Sequence, residues 1–147
     1  MNAPNEFSAV HEAGHCVVMR YFGMEVAEAW INAERGNCRF REPDKGDEIG
    51  LLENIAGSLD GKIAEDRACG FKDEAGRNES GDYKRAFDCA LRLNSGDEAG
   101  AKLLLQWMER RTELFVARLW PQIQKVSYAL LERGKLTGAE IAEILNG

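Results

Sequence analysis

Both histidines of this 147-residue chain lie in one short motif, His11-Glu12-Ala13-Gly14-His15. On an α-helix, residues i and i+4 share a face one turn apart, so both imidazoles can reach a single metal ion. Glu12 sits beside that face, where its carboxylate can take a proton from a metal-held water and later deliver it to a leaving amine. A bound metal lowers the pKa of its water toward about 7, which makes hydrolysis feasible at neutral pH. Zn²⁺ is the expected ion, because two imidazoles and a carboxylate suit its tetrahedral preference. H-E-x-x-H on a helix is the pattern of a zinc peptidase. The plainer explanation is a helix whose histidines only cap or hydrogen-bond. Against it, the chain has only these two histidines and both are here. A catalytic site needs three protein ligands, and no third histidine exists, so a carboxylate or a cysteine must complete the set. Cys16 follows His15 and points about 100° around the helix from it, which makes it a poor candidate.

The elements that must hold these residues are mostly helical. Phe7, Val10, Gly14, Val17, Val18 and Tyr21 recur at helical spacing, so a first helix is expected over about 5–22, stopped by Gly23. Over about 26–41, Trp30-Ile31 and Cys38-Arg39-Phe40 flank Glu34-Arg35-Gly36-Asn37, which reads as a β-hairpin. Pro43-Asp44-Lys45-Gly46 reads as a loop, and Asp47 as the cap of a second helix over Glu48 to Ala68. Gly57 and Gly61 on that helix permit close approach of another element. Residues 69–81 read as a loop, and a third helix runs from near Ser80 to Gly96. Ser95 and Glu98 suggest a capping box for a fourth, and Pro121 a break near Trp120. The chain resumes over Ile123 to Glu132, turns at Gly134, and closes with a helix capped by Thr137 and Glu140. Trp107, Phe115 and Trp120 are expected in core or helix contacts, and Glu109-Arg110-Arg111 on a solvated face. Cys16 and Cys89 are expected as buried thiols, and the sequence assigns Cys38 and Cys69 no place. The whole reads as one mainly α domain, 1–147, with a small β-hairpin or sheet between the first two helices and a helical remainder over 48–147.

Composition narrows the function. Nineteen basic against 25 acidic residues give a net charge of −6, which argues against a nucleic-acid surface or attraction to anionic lipid. No apolar run approaches the roughly 20 residues that span a bilayer. The N-terminus lacks the pattern of a signal peptide, and the four cysteines form no CxxC pair. A cytoplasmic protein with reduced thiols is therefore expected.

Phe7-Ser8-Ala9-Val10-His11-Glu12-Ala13-Gly14-His15-Cys16-Val17-Val18 resembles the opening helix of the peptidase domain of FtsH-type AAA+ zinc metalloproteases. Cys16 stands where that family usually has a small residue such as alanine. Further patches resemble the family in the same order: Ile31–Gly36, Ile55–Glu65, Ser80–Ala86 and Leu130–Ile141. In the family an Asp opens the later helix, and it falls on Asp82 here. The resemblance thus implies a ligand set of His11, His15 and Asp82, with Glu12 as general base. An aspartate in a first helical turn is also favoured by the helix dipole alone. Glu65 is the runner-up, as third ligand or as a carboxylate that orients a ligating histidine. Its plain alternative is a solvated helix carboxylate.

The resemblance implies zinc-dependent endopeptidase hydrolysis of peptides or unfolded polypeptides. An extended peptide would add as a strand beside the hairpin edge around Ile31–Phe40. Family members carry transmembrane segments and an ATPase ahead of this domain, whereas this sequence opens almost at the peptidase helix. ATP-independent cleavage is the corresponding expectation, with a separate ATPase or a second copy of the chain as partners to consider. The short segment between hairpin and second helix implies a trimmed cleft. The alternative is a metal-stabilised binding or regulatory module without peptidase activity. Retention of Glu12 argues against it, because a structural site needs no general base and is usually closed by four protein ligands.

Overall fold

A computed structural model of the chain describes residues 3–40 and 48–147. Helix α1 (Ala3–Tyr21) leads into strands β1 (Val26–Ile31) and β2 (Gly36–Phe40). Helices α2 (Glu48–Cys69), α3 (Glu74–Glu79), α4 (Gly81–Leu93), α5 (Glu98–Arg118) and α6 (Trp120–Arg133) follow, then β3 (Lys135–Thr137) and α7 (Gly138–Asn146). The described residues are mainly helical, with one small antiparallel sheet. The expected Pro43–Gly46 loop and Asp47 cap lie outside the described residues.

The sheet has the order β2-β1-β3. Ala29 pairs with Cys38 on one side and with Leu136 on the other. The third strand was not expected from the sequence. It follows from Gly134, whose φ of +78° caps α6 and turns the chain back, so that its carbonyl accepts a bond from Ile31 N–H at 2.9 Å. The hairpin turn also sits earlier than expected. Asn32 Oδ1 accepts from the Glu34 and Arg35 amides at 2.8 and 2.9 Å, which closes the turn before Gly36 and leaves Gly36 and Asn37 in β2.

Close approach of α1 and α2 is a matter of small side chains. A Cβ on Gly14 would stand 2.9 Å from the Ala64 Cβ, and one on Gly57 would strike the Met19 sulfur. Val18, Met19, Ile55, Ile123, Leu130, Leu136 and Ile141 are fully buried in the core. Burial of such side chains stabilises by roughly 1.5–3 kcal/mol each.

Three local expectations are corrected. Residues 74–79 form α3 rather than loop, because Asp73 caps it by accepting from the Gly76 amide and Asp66 accepts from the Asp73 amide. The cap of α5 is Asp97, which accepts from the Gly100 amide at 2.9 Å. Ser95 instead sits in the preceding turn with φ of 54°. Trp107 is 56 % exposed rather than core, with Arg111 stacked on its ring. Phe115 does pack, edge-on to Phe22 at 5.5 Å, and Trp120 lies under Arg67 at 5.1 Å. The Thr137–Glu140 capping box and the break at Leu119, just before Pro121, form as expected.

Candidate metal centre

Helix α1 presents His11 and His15 on one face, and α4 brings Asp82 to meet them. Ser80 fixes the start of α4 by accepting from the Tyr83 amide at 3.0 Å, so Asp82 falls in the first turn. The two Nε2 atoms are 3.1 Å apart, and Asp82 Oδ2 is 3.2 Å from each. Four ligands about 2.05 Å from a zinc ion stand about 3.3 Å from one another, so the three atoms match one face of such a tetrahedron. His11, His15 and Asp82 form a group that could hold a metal ion.

The far nitrogens fix the tautomers. His11 Nδ1 donates to Glu65 Oε1 at 2.8 Å, and His15 Nδ1 donates to the Gly57 carbonyl at 2.7 Å. Both partners can only accept, so each Nδ1 carries a proton, and a ring that has given up its second proton turns a lone pair inward from Nε2. Two nitrogen lone pairs and a carboxylate oxygen then converge with no donor among them. Such a set requires a shared cation, whether a metal ion or protons.

Charge placement says the same. Burial alone would push both imidazoles down in pKa. The Asp82 and Glu65 hydrogen bonds outweigh it and raise His11 to about 9, and the Asp60 and Asp82 charges hold His15 well above its ordinary value. Burial would push the Asp82 carboxyl up, but its two histidine partners hold it far below the usual range. Glu65 is likewise lowered against burial by His11 and Lys62. Burial raises Glu12, which is 7 % exposed, while both histidines pull it back. A carboxylate raised in this way is a better proton acceptor than a free one.

The structure brings together every residue singled out for the site. Glu65 stands behind His11, on its Nδ1, rather than among the converging atoms. Asp60 was missed. It is fully buried on α2, with Oδ1 2.6 Å from His15 Nδ1 in an ion pair off the hydrogen-bond axis, and neither of its oxygens has a hydrogen-bond partner among the described residues. A signal existed in the sequence: Gly57, Asp60, Gly61 and Ala64 form a helical stripe of small residues with a single acid among them. Gly61 lies under the centre itself. A Cβ there would come within 2.7 Å of both Nε2 atoms.

Glu12 is backed by the sheet. A Cβ on Gly36, the first residue of β2, would stand 2.9 Å from Glu12 Cγ. No protein-family model matches the chain, and no curated protein is similar enough to count as a relative.

Proposed function

We propose that this protein is a zinc-dependent peptidase acting on peptides or unfolded polypeptides, similar in its site to the FtsH-type peptidase domain. The observation that carries the reading is the convergence of His11 Nε2, His15 Nε2 and Asp82 Oδ2 at 3.1–3.2 Å beside a buried Glu12. A bound zinc ion supplies Lewis acidity toward the scissile carbonyl and toward water. The chain's own residues do the rest. Glu65 and Asp60 hold the two imidazoles in orientation from behind. Glu12 accepts the proton of the attacking water and returns it to the amine that leaves. Strand β2 is an outer strand of the sheet and runs past Glu12 at Gly36, so an extended peptide paired to it passes the site.

The test is cleavage of an unfolded polypeptide by protein reconstituted with one equivalent of zinc, comparing wild type with Glu12→Gln. Wild type is expected to cleave, and the variant to lose about 10²–10⁴-fold in rate at unchanged zinc content. If both are equally inert while zinc removal unfolds the chain, the site is structural and the binding-module reading replaces this one.

A further inference from the structure

The residue one turn after Glu12 on α1 is Cys16, and the residue two positions after Gly36 on β2 is Cys38. Helix steps of four advance about 6 Å and strand steps of two about 6.6 Å, so α1 and β2 stay in register: Glu12 lies over Gly36 and Cys16 over Cys38. The two Sγ atoms are 3.1 Å apart, closer than sulfurs stand in ordinary contact, and both residues are buried, at 0 % and 7 % exposure. No other contact described above joins the centre of β2 to the metal helix so directly. Neither thiol has a part in the hydrolysis.

We propose that Cys16 and Cys38 are an oxidisable pair whose disulfide fastens β2 to the metal helix beside Glu12, made by hydrogen peroxide and undone by a small dithiol. A disulfide needs the sulfurs about 2.05 Å apart, so roughly 1 Å of approach is required, and χ1 rotation can supply part of it. Cys38 reacts first. It lies on an outer strand, β2, which pairs with β1 alone among the described residues, so local opening of that strand uncovers it before Cys16. Its sulfur attacks the peroxide O–O bond, giving a sulfenic acid and releasing one water. The Cys16 sulfur then displaces the sulfenic oxygen, which leaves with the thiol proton as a second water. Two electrons pass from the sulfurs to the peroxide, and both thiol hydrogens end in water. The proposal stands on packing alone and holds whether or not the chain hydrolyses peptides.

Exposed Cys69, at the end of α2, supplies an internal control. Full-length protein is treated with hydrogen peroxide, unfolded, alkylated and digested, and the peptides are mapped by mass. The expected result is a linked peptide pair containing Cys16 and Cys38, two hydrogens lighter than the reduced peptides and absent after dithiothreitol. The metal-free oxidised protein is expected to unfold at a higher temperature than the reduced one, because the cross-link restricts the unfolded chain. Cys38→Ser should abolish that rise. Recovery of Cys16 and Cys38 as alkylated thiols under conditions that oxidise Cys69 overturns the proposal, as does sulfinic acid at Cys38 without the link. The mapping on wild type decides the matter even if the serine variant folds poorly.

Discussion

Two charged clusters share α2, and consecutive residues divide between them. Glu65 turns to His11, while Asp66 turns to Arg77. Around Arg77 the charges close on themselves. Its Nε meets Asp66 at 2.6 Å, its Nη1 meets Glu109 and Glu113 at 3.1 Å each, and Lys72 reaches Glu109 at 3.2 Å. Around the histidines they do not close. Glu12, Asp60, Glu65 and Asp82 surround two imidazoles, and among the described residues the only lysine or arginine contacts are Lys62 on Glu65 at 3.3 Å and Arg85 on Asp82 at 4.0 Å. One cluster is a finished tie between α2, α3 and α5. The other surrounds two imidazoles with four carboxylates and holds protons on the rings where no metal is bound, so a metal cation entering it displaces protons rather than breaking a finished tie. The same comparison corrects the expectation that Glu109-Arg110-Arg111 is simply a solvated face, since Glu109 is part of the tie.

If the clusters differ in this way, substitutions in each should separate metal binding from stability. The largest effect belongs to Asp82→Asn. It should lose stoichiometric zinc, measured by elemental mass spectrometry, while far-ultraviolet circular dichroism stays helical. Arg77→Leu should do the reverse. It leaves the buried Asp66 carboxylate with only Lys62, at 3.6 Å, as an ion-pair partner among the described residues and should cost about 3 kcal/mol in denaturant unfolding, with zinc still bound by the folded protein. Asp60→Asn removes the charge behind His15 and should weaken zinc binding about 10–100-fold in a chelator competition, with the metal-free fold retained.

The pH dependence sharpens the contrast further. In the metal-free protein the His11 pKa is raised from 6.5 to about 9. Its protonation therefore stabilises the fold fully below about 6.5, and that contribution fades as pH rises through about 9. Zinc needs the unprotonated ring, so zinc affinity should strengthen over the same interval, by up to about tenfold per pH unit. Opposite slopes for metal-free stability and zinc affinity are the expected outcome. Parallel slopes would mean that His11 is not a ligand.

Much of the site was legible because its parts are local. The i, i+4 histidines and the hairpin rest on short-range patterns, whereas Asp82 as third ligand follows only from the family resemblance, and Glu65 reads as a carboxylate near the centre without a settled role. The portions that were not legible depend on distant partners. Asp60 acquires its role only where α2 meets His15, some forty-five residues earlier in the chain. Helix α3 is six residues long and depends on Asp66 and Arg77 for its anchorage. Strand β3 has three residues and no signal of its own, and only β1 makes it a strand.

That last pairing has a consequence for how the chain is made. Strand β1 is synthesised roughly a hundred residues before β3 comes to flank it. At about 5–20 residues per second, the ribosome leaves β1 without that neighbour for something like 5–20 s. His11, Glu12, His15 and Asp82 have all been synthesised by then, but the sheet that backs Glu12 is one strand short. The nascent chain can therefore assemble the candidate metal centre before the sheet behind it is complete.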